Sequence, residues 1–192
     1  MSAQLDEPIL YGRTYTRFMK LLFVCTGNIC RSPTAERLAA AWADHHGVAE
    51  LEATSAGTRA MIGSPMESTA AKVLSSLGGN SDGFAGRQLT PAIAGEADLI
   101  LAMTQTHRDA VLRLAPRQLR RTFTLLEAAH LVTAGGARAV AELDAARAVA
   151  PRLGSPDTDV RDPIKRSESV FEEVGEQIAE AVVTVLDGLH PR

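Results

Sequence analysis

The residues best suited to chemistry crowd into one stretch, Cys25-Thr26-Gly27-Asn28-Ile29-Cys30-Arg31-Ser32-Pro33. An apolar run, Lys20 to Cys25, ends at the first cysteine, and a helical pattern starts at Ser32-Pro33. A loop between a strand end and a helix N-terminus turns successive backbone N–H groups inward and makes an anion cradle. Residues Thr26, Gly27, Asn28, Ile29, Cys30 and Arg31 would form its wall. Gly27 permits a left-handed backbone and Asn28 tolerates one. Arg31 adds a planar fork that grips two oxygens at once. The helix dipole and the guanidinium both favour thiolate at Cys25, and the Ser32 hydroxyl can donate to it. A thiolate beneath a bound phosphoryl group has one obvious reaction, in-line attack on phosphorus. A poor leaving group then needs a proton donor. Asp162, held extended by Pro163, is the candidate.

These residues need a scaffold. Lys20–Cys25, Leu51–Ala56, Ala97–Met103 and Arg121–Leu126 read as strands. Between them lie helical patterns, from Ser32 as N-cap with Pro33 at the first position to His46, from Met66 to Leu77, and from a Thr104 cap to Ala115. Glu127 to Ala150 reads as a helix with a break at Gly135-Gly136, and Ser169 to Leu186 as a closing amphipathic helix. Strands alternating with helices predict an α/β fold, a three-layer flavodoxin-like sandwich. Its four-stranded parallel sheet, in the order 2-1-3-4, would carry helices on both faces, with ligands beyond the carboxyl ends of the strands. Residues 1–18 read as a loosely ordered N-terminal tail and 19–192 as a single domain.

Composition narrows the class. The chain has 192 residues, 45% hydrophobic and 22% charged, which excludes a disordered polymer. A net charge of −3 offers no basic field for nucleic acid. Two cysteines exclude a disulfide scaffold, and no apolar run spans a bilayer, so a cytoplasmic protein with no membrane partner is expected. The histidines have no ligand-spaced companions, so neither a metal nor another cofactor is expected.

Cys25–Pro33 followed by Asp162-Pro163 resembles the low-molecular-weight protein-tyrosine phosphatases of bacteria. The likeness continues at Thr54–Gly57, Arg87–Thr90, Leu99–Met103 and Phe171–Val174, and runs from about Lys20 to Leu189. It implies Cys25 as nucleophile, Arg31 as phosphate clamp and Asp162 as acid and then base. It also implies that Asn28, Ser32 and Ser55 hold the loop in shape. The substrate would be a phosphotyrosine protein, with a bacterial tyrosine kinase among the candidates. Departures stand at Ile164-Lys165 and Met61, where the family places aromatics, and at Phe84, where it places histidine. The stretch from Glu127 to Pro156 exceeds the family's usual connection by about one helix and is expected to pack near the mouth of the site.

Other readings compete. A protein-arginine phosphatase shares the loop but usually carries Thr where Ile29 stands. An arsenate reductase of this fold needs a longer cysteine relay than Cys25 and Cys30 provide. A non-catalytic phospho-residue binding module would have no use for an intact Cys25, Arg31 and Asp162. Cys30 reads equally well as a small buried residue or as a redox partner that traps oxidised Cys25 in a disulfide.

Overall fold

The computed structural model describes residues 19–154 and 158–190. The expected N-terminal tail lies outside the described residues, as does part of the loop before Asp162. β1 (Met19–Cys25), β2 (Leu51–Gly57), β3 (Leu99–Ala102) and β4 (Thr122–Thr124) form a parallel sheet in the order β2-β1-β3-β4. This is the predicted topology, and it puts β1 at the centre.

The alternation along β1 explains why both faces are apolar. Leu21, Phe23 and Cys25 enter the larger core, beneath α1 (Arg31–His46), α2 (Ser68–Ser76), α5 (Leu125–Thr133) and α7 (Glu168–Leu189). Leu22 and Val24 enter a smaller core with Leu89, Ala94, Ile100 and Val111, under α3 (Pro91–Glu96) and α4 (Gln105–Leu114). Scarce aromatics are compensated by Ala at close-packed positions of α1 and by Trp42. The Trp42 indole N–H donates to Asp187 on α7 at 3.0 Å.

Several boundaries move from their predicted places, for local reasons. Ser32 is not the cap of α1. Cys30 occupies that position, and the Ser32 hydroxyl is engaged elsewhere. The second helix starts at Ser68, because the Glu67 carboxylate caps it through the Ala70 N–H. α3 was not foreseen, although Thr90-Pro91 carries an N-cap followed by proline at the first position. The fourth strand is short, because Thr124 and Glu127 close a capping box that starts α5 at Leu125. The predicted long helix from Glu127 divides into α5 and α6 (Val140–Ala146), with Gly136 at φ 70° at the break.

Candidate active site

The loop from Cys25 to Arg31 is held from outside through its carbonyls. The N–H groups of Thr58, Arg59, Met61 and Glu67 donate to the carbonyls of Cys25, Thr26, Gly27 and Ile29 at 2.7–2.9 Å. In a trans peptide the next N–H points opposite the carbonyl. Carbonyls drawn outward therefore turn the N–H groups of Thr26, Gly27, Asn28 and Cys30 toward the concave side. α1 carries no side-chain cap, so its first N–H groups face the same bowl. This is an anion cradle built from backbone alone.

Close packing behind the loop demands glycine. A Cβ on Gly57 would stand 2.5 Å from the Thr26 carbonyl, and one on Gly86 would stand 2.6 Å from that of Met61. Within the loop the left-handed residue is Asn28, at φ 53°, and not Gly27. Asn28 accepts that conformation because its side chain is fully used. Its Nδ2 donates to Ser32 Oγ at 2.9 Å and to Ser55 Oγ at 2.7 Å, while Oδ1 accepts from the Arg87 N–H at 2.8 Å. Ser55 donates onward to the Glu36 carboxylate. Burial raises the Glu36 carboxyl above the usual range, opposed by the Ser55 hydrogen bond and the charges of Arg37 and Arg87.

The sulfur of Cys25 lies at the centre of this network. It is 3.0 Å from Ser32 Oγ and accepts from the Asn28 N–H at 3.3 Å. Because Ser32 Oγ already accepts from Asn28, its own proton is available to the sulfur. Cys30 is buried in the larger core, and burial together with the neighbouring Cys25 pushes its thiol up.

Arg31 and Asp162 meet. Arg31 Nη2 lies 2.7 Å from Asp162 Oδ2, and Nη1 donates to the Val160 carbonyl at 3.1 Å. Arg31 is buried, whereas the Asp162 side chain is 51% exposed. The other Asp162 oxygen accepts from the Ile164 N–H at 3.2 Å, so the turn at Pro163 fixes the carboxyl. Asp159, a nearby acidic alternative in the sequence, is directed elsewhere, to the Gln105 N–H at 2.8 Å. The Cys25 loop, Arg31, Ser32, Ser55 and Asp162 thus lie together in one place.

His107 is a residue that reading missed. It is buried, with Nε2 2.8 Å from Thr26 Oγ1 and Nδ1 2.9 Å from Thr104 Oγ1. Burial, followed by the Arg31 charge, lowers its pKa to about 4. The available signal was its place three residues after the cap Thr104, in the first turn of a helix beside the site. Met61 and Ile62, 54% and 72% exposed, form an apolar corner on the segment that pins Gly27. The described residues contain no group of three or more acidic, histidine or cysteine side chains arranged for a metal.

Comparison with known proteins follows the same lines. The family model described as low molecular weight phosphotyrosine protein phosphatase matches residues 20–142. The chain is 41% identical over 100 residues to the low molecular weight protein-tyrosine-phosphatase Etp of Escherichia coli strain K12, a match covering 52% of this chain and 64% of that protein. It therefore spans a little under two thirds of that relative. It is 35% identical over 174 residues to low molecular weight protein-tyrosine phosphatase A of Mycobacterium bovis, covering 90% of each. The fold superposes on the low molecular weight protein tyrosine phosphatase of T. tengcongensis with a TM-score of 0.70 and 29% identity, over 88% of this chain and 98% of the other. Asp162 lies beyond the segment matched by the family model, and its pairing with Arg31 ties it to that segment in space. By that model and by a relative aligned along 90% of its length, the chain belongs to the low molecular weight phosphotyrosine protein phosphatase family.

Proposed function

We propose that the chain hydrolyses phosphotyrosine in proteins through a cysteinyl-phosphate intermediate. The observation that carries this reading is the Arg31–Asp162 pair at 2.7 Å beside a cradle whose floor is the Cys25 sulfur. The phosphoryl oxygens take the loop N–H groups and the Arg31 fork. The Cys25 sulfur attacks phosphorus as the bond to the tyrosine oxygen breaks, and protonated Asp162 delivers its proton to that oxygen. The Asp162 carboxylate then removes a proton from water. The resulting hydroxide attacks phosphorus, the S–P bond breaks, and inorganic phosphate and the Cys25 thiolate are released. Thr26 to Arg31 bind the phosphoryl group, and Asn28, Ser32 and Ser55 keep the loop in its binding shape. Met61 and Ile62 offer an apolar surface for an aromatic ring in place of the usual aromatic walls.

The natural substrate under this reading is a cytoplasmic phosphotyrosine protein, such as a bacterial tyrosine kinase. The test compares phosphotyrosine and phosphoarginine peptides, with p-nitrophenyl phosphate as a generic substrate. Wild type should release phosphate from the tyrosine peptide and from the nitrophenyl ester, and Cys25→Ser from none. Preference for the arginine peptide would replace the tyrosine assignment. Phosphate binding without turnover would make the chain a binding module.

A further inference from the structure

One opening lies apart from the phosphate cradle. A half-open cleft of about 450 Å³ lies where β4 ends, between the first turns of α4 and α5. Its outer wall is Ala150–Leu153, from the stretch that lengthens this chain after α5. None of the residues from Cys25 to Ser32 lines it. A cleft of this size matches those that hold small organic ligands.

Its charge is one-sided. Arg108, Arg147 and Arg152 face a single carboxylate, Glu127. That carboxylate is already taken, because Arg147 grips both its oxygens at 2.8 and 3.1 Å while stacking on Phe123 at 4.1 Å. The Arg108 side chain is largely covered; its Nε donates to the Thr122 carbonyl at 3.3 Å and its Nη1 pairs with Asp109 at 3.8 Å. Arg152 is exposed at the rim and makes no ion pair among the described residues. The lining thus carries three guanidinium groups against one carboxylate, beside the apolar side chains of Leu131 and Leu153. A concave surface with that excess of guanidinium charge suits an oxyanion ligand.

The cleft shares a wall with the segment that carries the proton donor. Thr158 lines it and accepts from Gln105 Nε2 at 2.8 Å, while the Gln105 N–H holds Asp159 at 2.8 Å. Val160 and Asp162, the partners of Arg31, follow directly.

We propose that this cleft is a second binding site, for a small organic anion bearing a phosphate or carboxylate group, and that its occupant adjusts turnover through Thr158–Asp162. The binding claim is independent of the phosphatase reading, whereas the effect on turnover rests on it.

Binding is tested by NMR on the full-length Cys25→Ser chain, titrated with glucose 6-phosphate and separately with citrate. One or both probes should shift the amides of Gln105, Thr124, Leu131 and Leu153, and the responding probe identifies the headgroup. Arg108→Gln/Arg152→Gln should weaken those shifts at least tenfold, with the phosphate-loop shifts and the folded spectrum retained. Shifts confined to the phosphate loop, or cleft shifts that survive the double variant, would overturn the site. In the catalytically intact chain, the responding anion should change kcat for p-nitrophenyl phosphate, and the double variant should abolish that change. An effect on KM alone would mean competition at the phosphate loop and would remove the coupling.

Discussion

Arg31 and Asp162 are separated by 131 positions in the chain and by 2.7 Å in space. The contact spans the two halves of the site, since Arg31 begins the helix behind the phosphate loop and Asp162 follows the last strand's helices. A phosphoryl group arriving in the cradle competes for the same guanidinium. Under the proposed function, the carboxyl then stands next to the oxygen that must leave.

That geometry predicts a leaving-group dependence. Asp162→Asn should lower kcat by roughly 10²–10⁴-fold for phenyl or alkyl phosphates, the range expected when a general acid is removed. For p-nitrophenyl phosphate, whose leaving group needs little protonation, the loss should be much smaller. Equal losses across the series, measured by steady-state kinetics, would take the acid role from Asp162.

Asn28 should tolerate neither alanine nor glycine, for separable reasons. Alanine leaves the Arg87 N–H without a partner, at about 1–3 kcal/mol, and takes a donor from the Ser32 and Ser55 hydroxyls. It also meets a left-handed backbone, costing a further ~1 kcal/mol. Glycine removes only the second cost. Urea titration should find Asn28→Gly more stable than Asn28→Ala, with kcat/KM low in both. Recovery of activity in the glycine variant would show that backbone shape, and not the side-chain hydrogen bonds, is what the loop requires.

His107 sets an acid limit on stability. Its folded pKa, about 4, lies below its ordinary value, so the unfolded chain binds the extra proton first. The neutral ring's contribution is complete above about pH 6.5 and is lost as pH falls toward 4, on the order of 3 kcal/mol in all. Denaturation followed through Trp42 fluorescence should show this slope, and His107→Asn should flatten it. An unchanged slope in the variant would assign the acid sensitivity to other groups.

Cys30 bears on oxidation. With its thiol pushed up by burial, its thiolate is scarce at neutral pH and capture of oxidised Cys25 is slow. Peroxide-treated wild type should recover with added thiol more fully than Cys30→Ser, and the gap should widen as pH rises. Identical recovery of the two proteins at every pH would leave Cys30 as a packing residue only.

The sheet was legible because its strands are short apolar runs between glycine and proline punctuation, and burial of both faces of β1 leaves few alternatives. The catalytic candidates were legible because cysteine, arginine and serine at fixed spacing around a helix start have few structural uses together. What escaped was set by tertiary contact. Ser32 looks like a cap until Cys25 and Asn28 claim its hydroxyl. Glu36 looks like a solvated helix residue until Ser55 arrives from β2, and His107 looks solitary until Thr26 comes within reach. The cleft beside Thr158 depends on four separate segments and leaves no local pattern.

The Val160 N–H donates to the Met103 carbonyl at 2.8 Å, and the Val160 carbonyl receives Arg31. The strap bearing Asp162 is therefore bolted to the end of β3 and the start of α1 rather than hinged above them. Enzymes that close a lid slow down in viscous solvent because large segments must sweep through it. Here bond making and breaking at phosphorus should govern the pace, and added sucrose should leave kcat for a slow substrate unaltered.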